Sequence, residues 1–382
     1  MNTQMHTRLL ACFAACVLAT HAHGFAEATA PLTFARDCPL VQVHVNEAGS
    51  YVFLLDTCLR LPVLDAPLAE RLGLTPSVAA PGTIAPGTSP QPYTAEAALR
   101  VASIAQDATT VVVADLTPLR QRLGAPVAGL FPAHQPGYEL ILDFPGRAAT
   151  WRPLEQAGLT HPGDGVLPVS FDESGAPRVE AVLDGKHRLL ARVDTAFAET
   201  LAVGPEDQEA IKAALDGKAV LSTMLDPGGD HTARHARLDL IEVGGAKVHA
   251  PVCLIATTGT ARLGVGFLKQ FRVTINYEHG LLRWERDAGL AWTDPPLVGY
   301  GLALGGLVDG LWTIQVAAHS PASEAGVRTG DRLLAVDGVS AAHVPAETLE
   351  PYLRGATGQE RTFTIDRLGQ PVDVRLAAAR LL

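Results

Sequence analysis

The chain has 382 residues, 47% hydrophobic and 18% charged, which excludes compositional disorder and, at about 150 residues per domain, a single small module. Its 40 acidic and 30 basic residues give a net charge of −10 with no basic block, which argues against nucleic acid and anionic membranes as partners. Abundant glycine (36) and proline (27) against 5% aromatic residues point to short strands and many turns rather than a helical bundle.

Arg8, the apolar run Leu9–Thr20 and the small residues around Ala22 and Gly24 have the form of a secretory signal. The run is too short to span a bilayer. A buried N-terminal helix is the alternative, but nothing after Thr20 continues a helical period. Residues 1–24 are therefore read as a signal peptide, and the remainder as exported, periplasmic or secreted, with no stable membrane insertion. Cys12 and Cys16 leave with that segment. Cys38, Cys58 and Cys253 remain, an odd number that leaves at least one thiol unpaired. There is no Cys-x-x-Cys, and His231 and His235 lack a third ligand nearby, so they read as solvated loop residues. Neither a metal nor another cofactor is expected.

An internal repeat organises the middle of the chain. The segment Tyr51–Cys58, YVFLLDTC, has a partner in His187–Ala196, HRLLARVDTA. Each is an apolar strand ending in Asp-Thr and a small residue, 138 positions apart, and the helix-opening Pro67 and Pro205 keep the same step. Two segments starting at Leu99 and Leu240 both read as hairpins. Asp143 with Trp151, and Asn276 with Trp284, then recur at an offset of 133. Three landmarks in one order imply a duplicated β-rich unit.

Duplication about a pseudo-twofold axis would bring Asp56 and Asp194 face to face. Two such carboxylates cannot both ionise, so they share a proton and can together deprotonate a water and protonate a carbonyl. Thr57 and Thr195 are placed to lock the two loops by hydrogen bonds. Cys58 and Ala196 are the small residues that let backbone N–H groups approach the carboxylates. Taken singly, each Asp-Thr reads equally as a turn cap. The repeat is what favours a dyad.

The LLDTC and RVDTA units resemble the catalytic loops of the bilobal, retropepsin-like aspartic proteases of bacteria, which read apolar-apolar-Asp-Thr-Gly. The likeness extends over roughly residues 38–286, including Leu263-Gly264 and Phe271–Tyr277. It implies Asp56 and Asp194 as catalytic aspartates and Thr57 and Thr195 as the locking threonines. Both family glycines are replaced, by Cys58 and Ala196, each adding a Cβ where close approach favours glycine. The turn-rich segments 80–97 and 224–236 stand where that family has its flap, and read alternatively as ordinary long loops.

Pro295-Pro296 reads as a linker. Beyond it, Ser320-Pro321-Ala322 through Gly330-Asp331 to Val336-Asp337-Gly338 resembles a bacterial PDZ domain. The resemblance implies that the backbone of Gly301, Leu302, Ala303 and Leu304 captures a peptide C-terminus, with a helix at Glu347–Arg354, bent by Pro351, as the other wall. The expected fold is mainly β, with two duplicated retropepsin- or pepsin-like β-barrel lobes (31–155 and 165–288) and an α/β PDZ domain (297–382). The expected function is endopeptidase action on extended polypeptide by a single chain, a monomer. A catalytically degenerate scaffold that binds peptides or partner proteins through its PDZ domain is the alternative.

Overall fold

Short apolar segments divided by glycine and proline turns form strands throughout, and the computed structural model describes residues 26–79, 92–163, 165–215, 220–225 and 232–382. The signal-like segment lies outside the described residues, as do 80–91 and 226–231 of the two turn-rich segments. Among the described residues no helix is long and apolar enough to cross a membrane.

In the first lobe the strands Cys38–Val45 and Ser50–Asp56 form a hairpin in which Leu40 faces Leu54. The Asp56 strand also runs parallel to Gly129–Pro132, placing Leu130 beside Leu54. Helix α1, Ala66–Arg71, carries Pro67 in its first turn, where a missing N–H breaks no intrahelical bond. A hairpin of Tyr93–Val101 and Ile104–Ala114 follows. Helix α2, Thr117–Leu123, is ended by Gly124 in the left-handed region at φ +65°.

The second lobe repeats this order. Pro177–Leu183 and His187–Val193 form the hairpin that leads to Asp194, and Arg262–Leu263 runs parallel to the latter strand. Helix α3 is Pro205–Leu215, and Leu240–Val243 with Ala246–His249 forms the second hairpin. Residues 256–261 form no helix where the first lobe has α2. Helix α4, Val265–Leu268, follows Gly264.

A six-stranded antiparallel sheet joins the lobes, with Tyr138–Asp143 and Arg272–Asn276 paired at its centre. In that register Leu140 faces Ile275 and Leu142 faces Val273. Each pair is the image of the other under the 133-residue repeat, so the pseudo-twofold axis passes between these strands. One apolar core runs from Ala28 to Trp284 through both lobes and this sheet. Trp151 is its largest fully buried side chain, and its indole N–H donates to the Ala133 carbonyl at 2.8 Å.

The C-terminal domain has its own core, from Tyr300 to Ala378. Ser320 caps helix α5, Pro321–Glu324, by a reciprocal bond pair with Ser323. The hairpin Leu302–Val308 and Leu311–Ala317 joins Arg332–Val336, Glu360–Arg367 and Gln370–Ala377. Val220–Met224 of the second lobe pairs with Leu311–Ala317, so the sheets of the two bodies are continuous.

Two expectations are corrected. His235 is not in a solvated loop but in the strand Thr232–Arg237, held between Val220–Met224 and Val252–Ile255. Backbone pairing on both sides places it in a sheet interior, with Nε2 3.0 Å from Glu199 Oε2. The helix expected at Glu347–Arg354 is shorter: α6 is Ala346–Leu349, and Glu350–Leu353 continues as a 3₁₀ turn. Pro351 offers no N–H to an α-helical partner, so the regular helix stops before it.

Trp151→Ala is expected to lower the unfolding free energy by about 3–5 kcal/mol in urea titrations. A loss below about 1 kcal/mol would show that the joining sheet does not set stability.

Candidate active site

Each Asp-Thr pair sits where a buried strand ends and the chain turns back beneath the other lobe. The turns interlock reciprocally. Thr57 N–H donates to Thr195 Oγ1 at 3.1 Å, and Thr195 N–H donates to Thr57 Oγ1 at 3.1 Å. Each hydroxyl then donates across the junction, Thr57 Oγ1 to the Val193 carbonyl at 2.5 Å and Thr195 Oγ1 to the Leu55 carbonyl at 2.6 Å. Val193 and Leu55 are repeat partners, so the interlock obeys the pseudo-twofold. Both threonines are essentially inaccessible, which makes every unmade bond here costly.

The interlock places a carboxylate oxygen from Asp56, one from Asp194 and the Cys58 sulfur within 4.8 Å of one another. Asp56 keeps 6% and Asp194 7% of its surface exposed, so the pair is desolvated without being sealed. Cys58 N–H donates to Asp56 Oδ1 at 2.7 Å and Ala196 N–H to Asp194 Oδ1 at 2.9 Å. These bonds need backbone, not glycine: neither Cys58 nor Ala196 lies in the positive-φ region. The Cβ atoms that replace the family's glycines are therefore carried without backbone strain.

Burial, then the charge of Asp194, pushes Asp56 up to about 7, against the pull of the Cys58 N–H. Burial raises Asp194 as well, but Arg262, the Ala196 N–H, Arg122 and Arg192 oppose it. Arg262 Nη1 stands 3.8 Å from Asp194 Oδ2, its guanidinium stacked over Phe197 at 4.4 Å. The cations on its side favour the charge on Asp194, and burial beside that charge favours the proton on Asp56. The asymmetry comes from sequence divergence within the repeat. Where the first lobe sets Leu54 beside Leu130, the second sets Arg192 beside Arg262.

Burial and the two neighbouring carboxylates push the Cys58 thiol well above its usual range. Cys38, Cys58 and Cys253 are all unpaired. Tyr277 stacks on His134 at 4.3 Å and points its hydroxyl at the Thr57 carbonyl, 3.5 Å away. Sequence reading missed Arg262, although it directly precedes the Leu263-Gly264 landmark; only strand pairing brings it to Asp194.

The PDZ loop residues are placed differently from one another. Gly301, at φ +80°, leaves no room for a side chain, since a Cβ would fall 2.0 Å from Ser320 Oγ. Its carbonyl accepts from Ala317 N–H at 2.9 Å. Leu302 and Leu304 turn into the domain core while Ala303 is half-buried, so only their backbone is available to a ligand.

Residues 41–131 match the family model described as aspartyl protease, and residues 313–367 match that of the PDZ domain. The first match contains Asp56 and ends before Asp194, whose lobe is tied to it by the repeat. A search of curated proteins found no match. Among solved structures, basic 7S globulin from soybean aligns over 68% of this chain and 94% of its own, at 9% identity and a TM-score of 0.39. That likeness is too remote to bear on function.

Thr195→Val leaves the Thr57 N–H and the Leu55 carbonyl without partners, and is expected to cost about 2–4 kcal/mol in urea unfolding. Ala196→Gly should instead destabilise by about 0.5–1 kcal/mol, through unfolded-state entropy and the lost contact of the Ala196 methyl with the Leu54–Leu123 cluster. A gain in stability would reveal strain at Ala196. Native Asp56 binds its proton more tightly than unfolded Asp does, so unfolding releases a proton and stability falls as pH rises from about 4 to about 7. Asp56→Asn should flatten that fall; an equal slope in both proteins would show that Asp56 is not the group that titrates.

Proposed function

We propose that this chain, which joins an aspartyl-protease domain to a PDZ domain, is an exported, monomeric aspartic-type endopeptidase acting on extended polypeptide. The observation that carries the reading is the threonine-locked pair of buried carboxyl groups. A water between the carboxyl groups gives a proton to charged Asp194 as its oxygen attacks the scissile carbonyl carbon, and protonated Asp56 gives its proton to the carbonyl oxygen. When the tetrahedral adduct collapses, the C–N bond breaks, the leaving amine takes the proton from Asp194, and the hydroxyl proton returns to Asp56. No metal and no covalent intermediate is required. Arg262 supports this division of labour by holding Asp194 ionised while its partner stays protonated.

The loss of both family glycines does not count against catalysis, because the N–H donors they would supply are provided by Cys58 and Ala196. The PDZ domain supports peptide recognition by the same chain.

Purified protein incubated with unfolded casein should cleave it, with sensitivity to an aspartic-protease inhibitor. Asp56→Asn and Asp194→Asn should each lower the rate by about 10²–10⁴-fold, the range of general acid–base catalysis. Activity should fall as pH rises through about 7, where Asp56 loses its proton. Cleavage that persists in Asp194→Asn would falsify the mechanism, and an inert wild type would leave a protease-like peptide-binding scaffold.

A further inference from the structure

The hairpin turn between Thr33–Ala35 and Cys38–Val45 has two central residues, Arg36 at φ +47° and Asp37 at φ +65°, with Ala35 facing Cys38 across it. Turns of this shape favour Asn-Gly or Asp-Gly, because both positions are left-handed. Arginine at the first position carries backbone strain. Its side chain shows what offsets that cost.

Arg36 spans both walls of the PDZ groove. Nε is 3.1 Å from Glu350 Oε1 on the 3₁₀ turn that continues α6, and Nη1 donates to the Gly305 carbonyl on Leu302–Val308 at 3.3 Å. Nη1 also donates to the Arg122 carbonyl at 3.1 Å, and the guanidinium lies 5.9 Å from the centre of the Trp312 ring. The C-terminus of α2 closes the same face. At Gly124 a Cβ would fall 2.3 Å from the Trp312 ring, and at Gly306 a Cβ would lie 3.5 Å from Gln121. Asp37 fixes the other side of the corner by an ion pair with Lys269 at 2.6 Å. One strained turn thus ties the first lobe to both the second lobe and the PDZ domain.

We propose that the groove between Leu302–Val308 and α6 is a docking site for this chain's own Arg36 corner, and that a peptide C-terminus enters only by displacing Arg36 from Gly305 and Glu350. The groove is self-occupied in the resting chain. Its apparent affinity for peptide is the intrinsic affinity multiplied by the fraction of molecules in which the corner has lifted. This inference rests on the reading of the PDZ groove as a peptide site.

The test uses the full chain. A random heptapeptide library with free C-termini is panned on Arg36→Asn, whose asparagine suits the left-handed turn and keeps the hairpin. The selected peptide is then titrated by fluorescence anisotropy against wild type, Arg36→Asn, Glu350→Gln and the double variant. Arg36→Asn and Glu350→Gln should each bind about tenfold more tightly than wild type, with no further gain in the double variant, as expected when both substitutions break one contact. Equal affinity in wild type and Arg36→Asn overturns the latch. Failure of Arg36→Asn to capture any peptide overturns the peptide site, and the latch with it.

Discussion

The four hydrogen bonds between Thr57 and Thr195 and the opposite strands are the constraint on which the rest of the molecule depends. Two carboxyl groups repel when charged and lose hydration when buried, so they approach each other only if something else holds their loops together. The interlock does this with neutral donors and acceptors that are satisfied only when both lobes are in place. Each hydroxyl serves the opposite lobe's carbonyl, so neither loop can shift without orphaning a buried group. The joining sheet supplies the coarse alignment, and the threonines fix the turns.

The two halves agree in backbone and disagree in chemistry. Leu40, Leu54 and Leu130 sit side by side in the first lobe and are covered by α2 through Leu123. The matching positions in the second lobe are Arg178, Arg192 and Arg262, and residues 256–261 there form no counterpart of α2. This divergence gives the dyad its electrical polarity, since Arg262 and Arg192 act on Asp194 and not on Asp56. It also gives α2 a second role, because its end packs on Trp312 and its carbonyl at Arg122 holds Arg36. The helix that seals one wall of the protease-like unit is therefore also the seat of the PDZ domain.

Docking of the PDZ domain is distributed over several contacts. A strand pairing from Val220–Met224, the glycine contact at Trp312 and the Arg36 corner lie on different elements. The two lobes thus share one face toward the third domain, and the groove lies within that face.

The repeat was legible in the sequence because the landmarks Asp56 and Asp194, Pro67 and Pro205, and Trp151 and Trp284 are local patterns that duplication preserved. The same holds for Ser320-Pro321 and its capped helix, whose bonds join residues three apart. Distant contacts related by the repeat, between the two aspartates and the two threonines, could be read from it; those outside its symmetry were not legible. Arg262 reaches Asp194 only through parallel pairing of its strand with His187–Val193. His235 looked like a loop residue because a strand held on both sides by distant partners need carry no apolar run of its own. The cost of replacing two glycines could be settled only by φ at Cys58 and Ala196, which the surrounding loops decide. Arg36 showed nothing in the sequence, since its meaning lies in a backbone angle and in two partners more than 260 residues away. Local patterning set which elements form and in what order, because propensity and periodicity act over a few residues; tertiary structure alone decided which charges meet, because burial and pairing are properties of the assembled sheets.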